Sequence, residues 1–400
     1  MNSDFWKLIA TNFFITAAMY MLIPTLPHFL LQGLGLTPVL TAVATSITGV
    51  GVFALGPFCS YSIQKFRRNK ICIISIAITA ASFLAASYII DEMQMNEIST
   101  EYALALIAIR LTAGAFFGLS LIILNSTLII DSCKSNKRTQ ANAISSWTYL
   151  LAIPTGMAGG ILTLAESNTQ DVFYAASAVC AIAIILIMSA RFPFKAPEET
   201  IKKCSLDRFI AKGSLIFSLP AIFAATLLGG TIVQIYNIEE LAYMGFGCIA
   251  AISSLVFTRH KKERTAKFKI PAKQITISAC TGYVVLLISI LLTHIGSTAY
   301  TNAGMACLGL GATFTLSSIH LCFIESADHC QRGSAESTYL LAIEFGIAVG
   351  IAINFIFNSP STRVEAPQAS PSVIFQIAFV AISAVTYFIP FLRKTKQFCK

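Results

Sequence analysis

Charged side chains are scarce in this 400-residue sequence: Asp, Glu, Lys and Arg make up 12% of it, against 56% hydrophobic residues and a mean hydropathy of +0.73. A soluble domain carries roughly 25% charged residues, so the composition excludes one and places most of the chain in a bilayer. A Gly-rich loop followed by Lys-Ser or Lys-Thr is missing, which excludes direct ATP drive by this polypeptide. No nucleophile stands beside a base and no cysteines keep the spacing of a zinc site, so neither enzymatic chemistry nor a cofactor or metal is expected. The eleven cysteines fall in apolar stretches or in segments assigned below to the cytoplasm, and a disulfide framework is not expected.

What is present is a series of apolar runs of about 18 residues or more, each long enough to cross a membrane. They cover approximately 6–31, 37–60, 71–90, 102–129, 141–165, 172–192, 214–236, 240–258, 274–294, 299–326, 335–357 and 372–392. The first is too long and too weakly basic at its start for a cleaved signal peptide, so it is expected to be retained. Lysine and arginine set the orientation. Every one of them except Arg110 and Arg363 falls at the first residues, the tail, or the loops after runs 2, 4, 6, 8 and 10. The opposite loops are short and acidic, with Asp91, Glu92, Glu97, Glu101, Glu166, Asp171, Glu239 and Glu240. The positive-inside rule then puts both termini and the central linker in the cytoplasm. The formal charge of +9 is thereby a topology signal; contact with anionic lipid heads follows from it, and nucleic acid is not an expected partner.

A repeat divides the chain. Residues 148–160, TYLLAIPTGMAGG, return at 338–350 as TYLLAIEFGIAVG, identical at nine of thirteen positions. Small residues recur every fourth position: Thr148, Ala152, Gly156 and Gly160, then Thr338, Ala342, Gly346 and Gly350. That spacing keeps them on one helix face, and in lipid such a face lets a neighbouring backbone approach closely. The same offset of 190 aligns Ala113-Gly114 with Ala303-Gly304. A duplicated chain with parallel repeats is expected: a six-helix bundle over 1–192, a cytoplasmic linker over 193–213 whose prolines and charges forbid a span, and a second six-helix bundle over 214–400.

These features resemble the major facilitator superfamily of transporters over essentially the whole chain. Twelve spans, a six-plus-six split at a basic linker and a short basic loop after the second span all match. In the family that loop carries a glycine, an acidic residue, a basic residue, a glycine and an arginine. Here Gly56, Lys65 and Arg68 stand for the gate motif, while Gln64 occupies the usual aspartate position and Arg67 the second glycine position. Arg110, Gly114 and Gly118 look like the arginine-and-glycine motif of span 4, and the run 329–350 is similar to a bacterial subgroup with no assigned substrate. The resemblance implies an all-α fold of two pseudo-symmetric six-helix bundles in a bacterial inner membrane, working as a monomer on a small-molecule substrate.

Five polar residues inside the spans are candidates for that work. Arg110 lies roughly 12 Å deep in span 4, where an arginine is penalised by about 2.5–3.5 kcal/mol; Gly114, Gly118 and Asn125 fall within about 80° of it on a helical wheel. It reads either as a cavity residue for an anionic group or as a structural arginine bonded to backbone carbonyls. Glu344 replaces Pro154 of the first repeat and points about 160° away from Gly346; it reads as a proton-carrying group or as a paired structural acid. Glu325 ends a stripe of Gly304, Gly311, Thr315, Ser318 and Cys322 that could line a pathway, or it pairs with a loop base such as Arg332. Asn12 and Gln234 could bind substrate or tie helices together, and His320 reads as a helix-packing residue. The expectation is a secondary transporter working by alternating access, with proton-coupled export of small amphipathic molecules ahead of uptake of a polar metabolite. A membrane sensor or assembly protein with this fold, and lipid movement between leaflets, are the readings from other classes.

Overall fold

In the computed structural model the described residues are 1–95, 100–134, 137–192, 203–206, 209–260, 272–295, 297–327, 331–357 and 371–398. Most of the linker, Glu97, His329, Arg363 and the loop bases 261–271 lie outside them. The described chain forms eleven helices long and apolar enough to cross a membrane, twelve when one bent pair is taken as a single span. They are α1 (Ser3–Gly33), α2 (Pro38–Gly51 and Gly56–Lys65, bent by 41°), α3 (Arg68–Met95), α4 (Thr100–Asp131), α5 (Arg138–Glu166) and α6 (Thr169–Ser189). The second half supplies α7 (Lys212–Ile232), α8 (Ile238–His260), α9 (Ala272–Thr293), α10 (Thr298–Ser326), α11 (Arg332–Phe357) and α12 (Pro371–Phe398). Each is built of helix-compatible apolar residues, and each satisfies its own backbone, which a bilayer demands.

Packing repeats with a shift of six helices. α1 lies against α5 and α6, α2 against α4, and α3 against α4 and α6; correspondingly α7 lies against α11 and α12, α8 against α10, and α9 against α10 and α12. Between the halves α2 meets α11 and α5 meets α8, again one pairing repeated after six helices. Two pseudo-symmetric six-helix bundles are the result. Large apolar side chains such as Phe246, Ile185, Met188 and Leu291 stand exposed on the outside, as lipid-facing positions do.

The small-residue ladder marks where helices touch. A Cβ on Gly156 or Gly160 would meet the backbone of Ala17 or Met21 in α1, and one on Gly346 or Gly350 that of Ile222 or Thr226 in α7. The shared offset does not extend to α4 and α10. Gly114 and Gly118 face Thr48 and Val52 of α2, whereas Gly304 faces Ser289 and Thr293 of α9. The counterpart of Gly114 is Gly309, which faces Met244 of α8. A matched dipeptide in two alanine-rich helices carries too little information to fix register.

Helices depart from the apolar runs where the backbone changes pitch. α4 passes through a π turn over Leu124–Leu128 and α1 through another over Phe29–Gly33. α7 ends at Ile232; Gln234 N–H and Ile235 N–H bond back to Thr231 O and Ile232 O at 3.1 and 3.2 Å, closing a tight turn. None of the nine cysteines among the described residues is joined in a disulfide.

Candidate functional site

Between the bundles lies a buried carboxyl group. Glu344 sits twelve residues into α11, roughly 18 Å along the axis, and is 7% exposed. Because the ladder of Gly346 and Gly350 turns toward α7, the opposite side of α11 carries Glu344 to the other bundle. There Tyr149 of α5 donates from its hydroxyl to Glu344 Oε1 at 2.6 Å, and Tyr20 of α1 donates to Oε2 at 3.4 Å. The two phenols are 3.3 Å apart. Gly49 of α2 packs on the Glu344 carbonyl and on Ala348, so no side chain there holds α2 away from α11. No Lys, Arg or His pairs with Glu344 among the described residues. An ionised carboxylate accepts from both phenols, and a protonated one can donate to either, so this clasp serves both states.

A second cluster ties the first bundle together. Asn125 Nδ2 donates to Asn12 Oδ1 at 3.1 Å and to Leu121 O at 2.9 Å, Ser145 Oγ donates to Asn125 Oδ1, and Asn12 Nδ2 donates to Ser145 Oγ at 3.3 Å. Asn12, Asn125 and Ser145 are fully buried. Asn125 stands in the π turn of α4 and faces α1 and α5, while Gly114 and Gly118 face α2; the 100° step behind the helical wheel fails across a π turn. Arg110 is 1% exposed, and its Nε and Nη1 make no hydrogen bond among the described residues.

Other candidates fall elsewhere. Glu325 is exposed at the end of α10, and its stripe does not line the face between bundles: Gly304 and Gly311 pack on α9, and Cys322 donates to Tyr387 of α12. Gln234 is exposed in the turn after α7, beyond the buried interior expected for it. Lys65 donates to Tyr61 Oη at 2.6 Å within its own helix, and Arg68 pairs with Asp131 at the end of α4. His320 is buried and hydrogen-bonded to Glu336 of α11, with the Tyr339 ring 4.8 Å away. Tyr339 in turn accepts from Ser146 of α5 at 3.3 Å. Sequence reasoning missed Tyr20, Tyr149, Asp131 and Glu336. The repeat held one signal: Tyr149 and Tyr339 are equivalent positions of the identical TYLLAI stretch, and each reaches the opposite bundle.

Two helical bundles related by a six-helix shift, enclosing a titratable group at their interface, define a membrane transporter by architecture. The chain belongs to the Major Facilitator Superfamily, whose family profile matches residues 8–351. Solved structures agree in fold. A bacterial homologue of the iron transporter ferroportin in an outward-facing state has a TM-score of 0.65 at 14% identity, with 98% of this chain and 100% of that chain covered. The nucleoside transporter NupG has 0.64 at 13% identity, with 98% and 99% covered. A bacterial homologue of the human lysosomal transporter Spinster, inward-facing and unoccupied, has 0.65 at 12% identity, with 98% and 97% covered. No curated protein sequence matches this chain.

Proposed function

We propose that this secondary transporter is proton-coupled and works by alternating access, exporting small amphipathic molecules across a bacterial inner membrane with both termini in the cytoplasm. The bundles 1–192 and 214–400 rock against each other about Glu344. The observation that carries this reading is the clasp itself. A carboxyl group on one bundle is held by two phenols of the other, so its protonation and the separation of the bundles act on the same hydrogen bonds. An ionised carboxylate makes stronger, charge-assisted bonds than a neutral acid; loading a proton therefore weakens the tie. Phenol rings beside it, with Phe53 and Phe345 between α2 and α11 at 5.9 Å, favour an amphipathic substrate. Uptake of a polar metabolite is the second reading, favoured by the buried amides of Asn12 and Asn125 and the hydroxyl of Ser145.

The test is proton movement in proteoliposomes, followed with a pH-sensitive dye while a panel of compounds is added. A compound that drives proton flux in the wild type but not in Glu344→Gln supports the reading and identifies the substrate class. Wild-type flux from Glu344→Gln would remove Glu344 from the proton path, and the absence of flux with every compound would favour uniport, another ion or a sensor.

A further inference from the structure

The end of the central linker holds both bundles at once. Ser205 N–H donates to Pro57 O of α2 at 3.0 Å. Phe209 is 4% exposed and lies against Gly56, where a Cβ would overlap the ring. It stands edge-on to Phe53 with centroids 6.2 Å apart, and Phe53 stands edge-on to Phe345 of α11. Two residues later the chain is fixed to the other bundle: Ala211 N–H donates to Thr338 Oγ1 of α11 at 2.9 Å, and Ser214 Oγ donates to Phe323 O of α10 at 2.9 Å.

We infer that the junction of the linker with α7, from Phe209 to Ser214, is a strap that holds the cytoplasmic ends of the two bundles together, with Phe209 as its bolt in a notch at Gly56. This rests on the alternating access and orientation proposed above. Phe209 is two residues from the anchor at Ala211, a tether of about 7 Å. When α2 and α11 part, the ring cannot follow α2 while Ala211 stays on α11, so inward opening requires Phe209 to leave the notch. Glycine at position 56 is needed because any side chain would fill the space the ring uses.

Ser146 reports on this closure. It is fully buried and bonded to Tyr339 across the bundle interface, so opening at the cytoplasmic end would uncover it. The experiment measures labelling of Ser146→Cys by an impermeant maleimide in inside-out vesicles, with the other cysteines replaced. Phe209→Ala should raise the labelling rate about fivefold or more, since the rate follows the population of the open state. Gly56→Ala should do the same by evicting the ring. The double variant should be no faster than Phe209→Ala alone, because a methyl group at position 209 no longer reaches the notch. Phe209→Leu, which keeps apolar bulk, should fall between wild type and Phe209→Ala and replaces the alanine variant if that one does not elute as a single folded species. A wild-type rate in Phe209→Ala or Phe209→Leu, or additive effects of Phe209→Ala and Gly56→Ala, would overturn the strap. If Ser146→Cys is labelled neither in inside-out vesicles nor in intact cells in any variant, alternating access itself fails, and the strap with it.

Discussion

At the scale of single residues, the two phenols on Glu344 are unequal partners. The bond from Tyr149 is 2.6 Å and that from Tyr20 is 3.4 Å, and hydrogen bonds to charged groups contribute about 1.5–3 kcal/mol when well formed. Tyr149→Phe should therefore slow proton-coupled flux about tenfold or more, at about 1.4 kcal/mol per decade. Tyr20→Phe should cost less than about threefold. Dye-reported flux at matched protein content checks both, and equal losses would mean the longer bond matters as much as the shorter. Glu344 itself was legible because a carboxylate among apolar residues stands out, sharpened by nine surrounding identities with a proline-bearing copy. Its partners were not. Tyrosine is unexceptional in a membrane helix, and nothing in a linear sequence joins Tyr20 to a residue 324 positions away. Glu336 was missed for the opposite reason: it stands four residues after the loop base Arg332, and no linear feature marks it as fully buried against His320.

At the scale of helices, contact depends on backbone approach rather than on expelling water. Gly160 of α5 lies against the carbonyl of Met21 in α1, so Gly160→Ala inserts a methyl where only backbone can yield. Overpacking of this kind costs about 1–3 kcal/mol, and a lower melting temperature in detergent is expected. Gly245 in α8 has no neighbour within 4 Å of where a Cβ would stand, so Gly245→Ala should be neutral or slightly stabilising, through the roughly 1 kcal/mol that alanine gains over glycine in a helix. Equal melting temperatures for the two variants would separate the ladder from packing. The ladder was readable because thirteen aligned residues fix a register. The Ala-Gly pairs of α4 and α10 misled for want of such length, and the π turn at Asn125 was invisible because an extra residue per turn leaves no compositional trace.

At the scale of the whole molecule, twelve apolar runs and one sign of charge on alternate loops made the fold legible, since length and hydropathy alone decide what can span a bilayer. The way the linker's end threads between the bundles was not legible, because its Phe209 reads as an ordinary apolar residue in a charged loop. Orientation is open to direct measurement with a residue already present. Cys204 is exposed in the linker, at the end where Lys7 of α1 bonds to Ser189 O of α6. Ser167, between α5 and α6, is exposed at the opposite end. With Cys204 as the sole cysteine, an impermeant thiol reagent should react in inside-out vesicles and not in intact cells. A chain whose sole cysteine comes from Ser167→Cys should show the reverse. Reversed labelling of both would invert the molecule in the membrane: the basic loops would lie outside, the strap would close the external side, and Glu344 would meet protons from the opposite compartment. Because the positive-inside rule acts on short loops near helix ends, and those here are short and carry nearly all the basic residues, the first pattern is the one the chain's own charges dictate.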